Sequence, residues 1–227
     1  MLADPFAVKR YARWHPRRLT HKSLAMTREW HARRRFDQYA LPRVLLPDLP
    51  PVPEADWSAT SVTPVQMQHL LHALKLTESQ VGTVVVEVGC YRGETTKCLA
   101  QATNRTVVAV DPYIGYGGAE AEFVRFQENT AGLSNVVHER TTSGAAARGW
   151  QHGPASLIFI DAVHDYANTA FDIETWSAHL APGGILALHD TDQLCFAGTR
   201  RAAFEALGRS TLLAHPENLT LLIVHGR

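Results

Sequence analysis

Cysteine, long apolar runs and targeting signals are scarce in this sequence. Its three cysteines in 227 residues are too few for a disulfide framework, and none belongs to a Cys-x-x-Cys pair of the kind that binds zinc. No apolar stretch approaches the ~20 residues that cross a bilayer. Residues 1–20 lack the apolar core of a signal peptide. We therefore predict a cytoplasmic protein that has no membrane partner.

An excess of one charge sign is also absent, but the balance is uneven along the chain. Lys and Arg together number 22, as do Asp and Glu. Residues 1–43 hold eleven basic and three acidic side chains, whereas residues 44–227 hold eleven basic and nineteen acidic ones. A basic arm thus precedes an acidic body. The arm can dock on the acidic surface of its own chain or of a second copy in a homo-oligomer, or it can cover a site that admits an anionic ligand.

The N-terminal region is predicted to form helices followed by a proline-rich strap. Residues 5–40 have a helical pattern that Pro16 interrupts, because proline cannot donate a backbone hydrogen bond. Five prolines within residues 42–53 then favour extended backbone, typical of a linker or of a strap that lies on the domain. Helix resumes at Thr63, which can cap it, and Pro64, which suits a first turn. We divide the chain into an arm with its strap and a main domain, residues 1–62 and 63–227.

Strand-like and helical segments alternate from residue 83 onward. The predicted strands are residues 83–89, 106–111, 135–140, 156–161 and 185–190. Helical segments separate them, and the APGG run at residues 181–184 is predicted to end the last of these helices. The alternation indicates an α/β protein with a doubly wound, mostly parallel sheet. Two final stretches, residues 210–215 and 219–226, are predicted to form an antiparallel edge. Functional residues of such a sheet lie just past the carboxyl ends of its strands.

The first predicted strand runs into a turn with two glycines, VEVGCYRGETT. A dinucleotide fingerprint needs a glycine two residues after Gly89, because the pyrophosphate approaches the backbone there. Tyr91 stands at that position, and Glu94 stands where a third glycine would be. The turn is therefore unsuited to NAD. What remains is an acid followed by two glycines four residues apart, namely Glu87, Gly89 and Gly93.

This turn resembles the first motif of class I S-adenosylmethionine-dependent methyltransferases. The resemblance implies a Rossmann-like methyltransferase fold and a cofactor that has no phosphate to bind. It implies that the turn with Gly89, Tyr91 and Gly93 passes beneath the methionine part of the cofactor. It also implies that Glu87 helps to position the turn and the cofactor's amino end.

The same resemblance assigns residues at the next two strand ends. Asp111 matches the acid that accepts both ribose hydroxyls, and Thr142 and Ser143 fall where the family contacts adenine. Taken singly, an acid such as Glu87 or Asp111 can equally cap a helix or begin a turn. Their order on consecutive strand ends favours cofactor binding over these structural roles.

Acids and histidines cluster after the fourth and fifth predicted strands. They are Asp161, His164, Asp165, His189, Asp190 and Asp192. Adjacent strand ends bring such side chains to one edge of the sheet. Carboxylates from two strand ends suit a hard cation such as Mg²⁺, and a histidine beside them suits a general base. The competing interpretation is that these acids only cap turns and order the loops.

The runs IDAVHDY and LHDTD narrow the resemblance to the branch that contains macrolide-sugar O-methyltransferases and relatives of cephalosporin hydroxylase. This resemblance covers residues 80–195. It implies that Asp161 and Asp190 bind magnesium and that His164 is the catalytic base. Asp161 is thereby expected to serve catalysis, the metal and the cofactor at once.

Two positions depart from the pattern of this branch. Ala162 replaces the usual glycine of the loop after the fourth strand. Thr191 stands where a neighbouring acid can complete the metal site, so Asp192 or a more distant acid is expected to substitute for it.

Together these features predict methyl transfer from S-adenosylmethionine to a hydroxyl of a small molecule of sugar or natural-product type, assisted by a divalent metal. Three alternatives stay open. A nucleic-acid methyltransferase can use the basic arm to bind phosphates, but the acidic body and the lack of an NPPY motif make nucleic acid the less favoured partner. The chain can also be a non-catalytic cofactor-binding accessory protein or a hydroxylase-like relative on the same fold.

Overall fold

A seven-stranded sheet forms the centre of the computed structural model, which describes residues 2–115 and 118–225. The strands are β1 Val84–Val88, β2 Val107–Val110, β3 Val136–Glu139, β4 Ala155–Ile160, β5 Leu180–Leu188, β6 Ser210–Ala214 and β7 Thr220–Val224. Their order is β3-β2-β1-β4-β5-β7-β6, with β1 to β5 parallel and β7 antiparallel to both of its neighbours. The predicted doubly wound sheet with an antiparallel edge is confirmed. Gly226, at the end of the last predicted stretch, lies outside the described residues.

Helices cover both faces of this sheet and form the arm. They are α1 Pro5–Lys9, α2 Pro16–Arg34, α3 Pro64–Leu76, α4 Glu94–Gln101, α5 Glu120–Asn129, α6 Ser143–Arg148, α7 Tyr166–Trp176 and α8 Ala197–Ala206. Short 3₁₀ turns follow α2, α7 and α8, and another precedes α8. Across residues 2–115 and 118–225, no helix combines the length and the apolar character needed to cross a membrane.

Burial of the sheet on both faces explains the uninterrupted apolar runs of its central strands. Successive residues of β1 point to opposite faces, so that Val86 packs in one apolar core and Val85 in the other. Trp176 of α7 belongs to the first core and Leu70 of α3 to the second. A parallel sheet covered in this way loses the polar–apolar alternation of a half-exposed sheet. Polar chemistry is therefore concentrated at the ends of the strands.

Helix α3 begins where the sequence predicts. Oγ1 of Thr63 accepts a hydrogen bond from the Gln66 amide at 3.2 Å, and Oε1 of Gln66 accepts one from the Thr63 amide at 2.9 Å. Pro64 occupies the first turn, where no intrahelical donor is needed. This reciprocal capping box satisfies two free amides and fixes the side chain of Gln66 at the start of the helix.

The strap lies on the main domain. The Val44 carbonyl accepts a hydrogen bond from the His215 amide at 2.7 Å, and the Pro50 carbonyl accepts one from Nε2 of Gln68 at 2.6 Å. Trp57 packs against the core on the α3 side of the sheet. Of the two alternatives left open by the prolines, a linker or a strap, the contacts favour the strap.

The basic arm is fastened to the main domain by an acidic residue. Helix α2 starts at Pro16, so the proline separates it from α1, as predicted. The Glu29 carboxylate accepts hydrogen bonds from the Tyr166 amide at 3.3 Å and the Gly198 amide at 3.1 Å, in the first turns of α7 and α8. A carboxylate at two helix N-termini interacts favourably with both helix dipoles. One side chain of the arm thus joins the helices that follow β4 and β5.

Other parts of the arm face away from the domain. Trp14, Met26 and Trp30 are each half exposed or more. These side chains and the surrounding Arg and Lys residues leave an aromatic, basic surface. A homo-oligomer formed through the arm stays a prediction, as does the division of the chain at residue 62.

One predicted helix end is wrong. The APGG run at residues 181–184 lies inside β5, and α7 ends earlier, at Trp176. Gly183 has a φ of +74°, and a Cβ on Gly184 would stand 3.1 Å from the Ala155 carbonyl oxygen. The register between β4 and β5 shifts at this point. The two glycines therefore allow a strand irregularity with a close backbone approach, rather than a helix stop.

We expect Gly198→Ala to destabilise the fold. A Cβ at this position would collide with the Glu29 carboxylate and the Tyr166 amide. Overpacking of this kind costs about 1–3 kcal/mol, and urea denaturation should show a loss of that size. Gly208→Ala is the matched control, because no atom lies within 4 Å of the added Cβ. Equal losses at the two positions would contradict the close packing of the arm against α7 and α8.

Candidate active site

A cavity of about 690 Å³ opens at the carboxyl ends of β1, β2 and β4. This is the edge at which a doubly wound sheet places its ligands. Seven predicted site residues line it: Gly89, Tyr91, Asp111, Thr142, Ser143, Asp161 and His164. Among the described residues, the other predicted ones do not form its wall: Glu87, Gly93, Asp190 and Asp192.

The two glycines of the β1–α4 turn are required by its geometry. Gly89 has a φ of +90°, and a Cβ there would collide with the Asp161 carbonyl oxygen. Gly93 has a φ of +78° directly before α4, and a Cβ there would stand 2.8 Å from the Phe126 ring. Only glycine fits such positions without strain. The turn consequently packs directly against the end of β4, and Gly89 contributes backbone to the cavity.

Asp111 holds the same turn in place. Its Oδ2 accepts hydrogen bonds from the Cys90 amide at 3.1 Å and the Tyr91 amide at 3.3 Å. Its Oδ1 accepts one from the Tyr113 amide at 2.9 Å. Tyr91 has a φ of +46°, which is uncommon for a residue with a side chain. The carboxylate at the end of β2 therefore orders the turn after β1, and it also faces the cavity.

Glu87 lies behind the turn rather than in the cavity wall. Its carboxylate is buried and accepts a hydrogen bond from the Thr96 hydroxyl of α4. Burial raises the pKa of Glu87 to about 8, and the charges of Asp161 and Asp111 act in the same direction. Glu87 thus connects β1 to α4 behind the turn, and its role in positioning the turn stays a prediction. The structure shows no direct access from Glu87 to the cavity.

Thr142 and Ser143 line the cavity where α6 begins. The Ser143 hydroxyl donates a hydrogen bond to Oδ1 of Asp172 and accepts one from Nε1 of Trp176 at 2.8 Å. Burial raises the pKa of Asp172 to about 7. Asp172 also lines this part of the cavity. Both serine partners come from α7, so this end of the cavity is formed by the first turn of α6 and the side of α7.

Asp161, His164 and Asp190 form a compact polar group at the ends of β4 and β5. Nε2 of His164 lies 3.4 Å from Oδ1 of Asp161 and 3.3 Å from Oδ2 of Asp190. Three possible ligand atoms, one from each residue, lie within 4.8 Å of one another. Oδ1 of Asp190 accepts hydrogen bonds from Asn218 at 2.5 Å and Gln193 at 3.2 Å. These bonds fix Asp190 so that its other oxygen faces His164.

The buried His189 side chain compensates the charge of these aspartates. Its Nδ1 lies 3.2 Å from Oδ1 of Asp161 and 3.6 Å from Oδ1 of Asp190. Its Nε2 lies 3.1 Å from Oε1 of Gln66, an oxygen that also accepts the Thr63 amide proton. Nε2 thus faces the Gln66 oxygen, whereas Nδ1 lies close to both carboxylates without the geometry of a hydrogen bond. Burial lowers the pKa of His189, but the two carboxylates outweigh this effect and raise it to about 10.

The structure does not bring Asp192 into the group. Oδ1 of Asp192 pairs with the guanidinium of Arg200. The Thr191 hydroxyl is used within the sheet, 2.7 Å from the Thr220 hydroxyl. The third member of the compact group is therefore His164, and Asp192 does not take the place that the sequence suggested for it.

Sequence reasoning missed cavity residues that come from distant parts of the chain. They include Phe6 of the arm, Thr60 and Ser61 of the strap, and Phe196 before α8. The Ser61 hydroxyl donates to Oδ2 of Asp161 at 2.8 Å, and the Phe196 ring centroid lies 4.7 Å from that of His164. Burial would raise the pKa of Asp161, but the charges of His189 and His164 and the Ser61 hydrogen bond lower it to about 2. No local motif marks these partners.

The segment that carries this site matches a known family. Residues 86–191 fit the model of a family described as a methyltransferase domain. This segment is similar to the methyltransferase domains of that family. It extends from β1 to the residue after Asp190, so it holds both the glycine turn and the compact polar group. The resemblance drawn from the sequence is confirmed. Comparison with curated proteins gives no match.

Solved structures share the fold of the methyltransferase domain. The O-methyltransferase TomG from Streptomyces achromogenes, involved in tomaymycin synthesis, is 17% identical, with 89% of this chain and 90% of that chain covered and a TM-score of 0.58. CalS11, a TDP-rhamnose 3′-O-methyltransferase of calicheamicin biosynthesis, is 21% identical, with 70% and 80% covered and a TM-score of 0.51. An rRNA methylase from Streptococcus thermophilus is 17% identical, with 74% and 100% covered and a TM-score of 0.53. This fold therefore occurs in proteins with different acceptors, so the fold alone does not determine which acceptor a protein uses.

We expect Glu87→Gln to remove part of the pH dependence of stability. Burial raises the pKa of Glu87 from 4.5 to about 8 in the folded protein. Because the folded-state value is the higher one, ionisation opposes folding, and stability is lost as the pH rises from about 4.5 towards about 8. Glutamine does not ionise. The free energy of unfolding of the variant, relative to the wild type, should thus increase by about 2–4 kcal/mol across this range.

Urea titrations at the two ends of this pH range measure the effect. Glu54→Gln, at an exposed glutamate of the strap, is the control for the change of side chain alone. A pH-independent difference between Glu87→Gln and the wild type would contradict the burial of an uncharged Glu87.

Proposed function

We propose that this chain transfers a methyl group from S-adenosylmethionine to a hydroxyl group of a small molecule. The observation that carries the proposal is a single shared cavity. The Gly89 turn and Asp111 line one part of it, and Asp161 and His164 line another. Direct transfer requires the methyl donor and the attacking oxygen to be held side by side, and one cavity with these two parts meets that requirement.

The charge of the cavity suits a cationic cofactor. Its described lining contains four aspartates and neither lysine nor arginine: Asp111, Asp161, Asp165 and Asp172. S-adenosylmethionine carries a sulfonium and an ammonium group, which acidic walls attract. Among the described residues, Oδ1 of Asp111 accepts one hydrogen bond, from the Tyr113 amide, and a second lone pair can accept a ribose hydroxyl. These features support a cofactor that lies over the Gly89 turn with its ribose at Asp111.

His164 is the group best placed to take the proton of an acceptor hydroxyl. Imidazole is the side chain that most often moves protons at neutral pH. His164 lines the cavity, and Nε2 stands between the carboxylates of Asp161 and Asp190. Asp161 and Asp190 thus position the His164 ring at the cavity.

A divalent cation such as Mg²⁺ fits the same group of side chains. Asp161 and Asp190 offer carboxylate oxygens from two adjacent strand ends, and His164 beside them stays available as the base. Oxygen is the ligand that Mg²⁺ prefers. A bound cation would supply Lewis acidity that makes an alcohol easier to deprotonate. The positive charge of His189 already offsets part of the negative charge, which favours weaker binding than three free carboxylates would give.

The acceptor is proposed to be a hydroxylated small molecule. The described cavity lining lacks the Lys and Arg side chains that bind nucleic-acid phosphates. TomG and CalS11, which share the fold, are O-methyltransferases of tomaymycin and calicheamicin synthesis. This supports an acceptor of sugar or natural-product type. The free, buried thiols of Cys90 and Cys98 are in keeping with a reducing compartment such as the cytoplasm.

We expect His164→Ala to lower kcat by about 10²–10⁴-fold, the usual contribution of a general base, with little change in the KM for S-adenosylmethionine. The assay follows the labelled methyl group from the cofactor to an acceptor found by screening hydroxylated sugars and phenols. His152→Ala is the matched control, because His152 pairs with Glu139 at 2.8 Å outside the cavity.

Two results would contradict the proposal. Full activity of His164→Ala would refute the role of this side chain as base. Failure of the wild-type protein to bind S-adenosylhomocysteine in calorimetry would refute cofactor binding itself.

The divalent cation is tested with EDTA and Asp190→Asn. We expect EDTA to lower the wild-type kcat by about tenfold or more and Mg²⁺ to restore it. Asp190→Asn should weaken the response to Mg²⁺ while the affinity for S-adenosylhomocysteine stays unchanged. Asp192→Asn should keep the Mg²⁺ response, because Asp192 pairs with Arg200. Full wild-type activity in EDTA would exclude the cation. Methyl transfer with His164 as the base would then still stand.

A further inference from the structure

Helix α1 of the arm is seated on the two helices that form one end of the cavity. Asp4 caps α1 by accepting a hydrogen bond from the Phe6 amide at 2.8 Å, and its other oxygen accepts one from Arg148 of α6 at 2.8 Å. The Leu2 amide donates to Oε2 of Glu174, on α7, at 3.1 Å. These contacts place the first residues of the chain against α6 and α7.

The surface that contacts α1 includes a glycine, Gly144, whose lack of a side chain leaves room for Asp4. A Cβ on Gly144, in the first turn of α6, would collide with the Asp4 carboxylate and stand 3.0 Å from the Phe171 ring. Gly144 directly follows Thr142 and Ser143, which line the cavity. The absence of a side chain at Gly144 therefore allows α1 to pack closely against α6, next to the cavity residues Thr142 and Ser143.

The arm contributes one aromatic ring to the cavity. Phe6 lines it together with Thr142, Ser143 and Asp172. The ring is half-buried, and the Lys9 ammonium lies 4.2 Å from its centroid. This end thus combines a flat apolar wall with hydroxyl groups and the carboxyl group of Asp172, whose pKa burial raises to about 7. The other end, at Asp161 and His164, is charged.

The chemical character of each part of S-adenosylmethionine indicates which part would contact the Phe6 ring. The sulfonium and ammonium groups of S-adenosylmethionine are positively charged and suit the part of the cavity near Asp161. Adenine is flat and uncharged, and aromatic side chains favour such rings in stacked or edge-to-face contact. Asp111, the candidate for the ribose, lies between β2 and the glycine turn.

We propose that Phe6 contacts the adenine ring of the bound cofactor, so that the N-terminal arm completes the cofactor site. This inference rests on the proposed function, because it takes S-adenosylmethionine as the ligand. If the arm contacts the cofactor, docking of α1 on the domain and binding of the cofactor are coupled. Each then strengthens the other by the same factor. The cofactor holds α1 on the domain, and a docked α1 retains the cofactor.

The affinity of Phe6→Ala for two ligands tests the contact. Calorimetry with S-adenosylhomocysteine and with adenosine should show both affinities reduced by about tenfold, the loss expected for one aromatic contact. Phe6→Tyr should bind both ligands like the wild type, since it keeps the ring. Trp14→Ala is the matched control, because Trp14 is an aromatic residue of the arm that is three-quarters exposed.

Limited proteolysis of the full chain tests the coupling. Arg10 and Arg13 are exposed trypsin sites that directly follow α1. Saturating S-adenosylhomocysteine should slow cleavage at these sites several-fold in the wild type, because it holds α1 in its seat. In Phe6→Ala, the ligand should give little protection at the same fractional saturation.

The outcomes separate this inference from the proposed function. Wild-type protein that binds neither ligand would refute the proposed function and the inference with it. Wild-type protein that binds both, with unchanged affinities in Phe6→Ala, would refute only the inference. A loss for S-adenosylhomocysteine without a loss for adenosine would place Phe6 elsewhere and overturn the contact with adenine. Equal losses of affinity in Trp14→Ala and Phe6→Ala would assign the effect to the arm in general. That result would also overturn the contact between Phe6 and adenine.

Discussion

The polar group of the site depends on one buried positive charge. Asp161 and Asp190 end adjacent strands, and two carboxylates so close together repel each other unless a cation stands between them. His189 supplies that charge, and its orientation is fixed by Gln66. Gln66 in turn is held by the capping box at the start of α3. The geometry around His164 therefore rests on a helix start that follows directly after the strap.

Two carboxyl groups beside the glycine turn have different roles because of where they lie along their strands. Glu87 is inside β1, where the covered face of the sheet buries it, and the raised pKa keeps it uncharged near neutral pH. It bonds Thr96 and so fixes the start of α4. Asp111 lies one residue beyond β2 and reaches the cavity. Glu87 therefore contacts α4 behind the turn, whereas Asp111 faces the cavity, where it can contact a ligand.

The sequence was sufficient for most local features, but not for the APGG run at residues 181–184, which lies inside β5. The strands were predictable because both faces of the sheet are covered, and Gly89 and Asp111 because the turn and the strand end define their places. Ser61 was not predictable, since it reaches Asp161 across 100 residues of chain. Asp192 was misplaced for a related reason. Proximity along the chain put it near Asp190, but the long-range partner Arg200 decides where its side chain points.

The arm shows that net charge is a poor guide to what fastens a segment. Its basic excess suggests docking through Lys and Arg, yet two of its three acids make anchoring bonds, in addition to those of the Leu2 amide and the Arg33 guanidinium. Asp4 caps α1 and accepts Arg148, while Glu29 accepts the amides at the starts of α7 and α8. Buried amides at helix starts have to be satisfied, so a carboxylate that reaches them is fixed in one geometry. The acids therefore contribute to where the arm lies, although most of its Arg and Lys side chains are exposed.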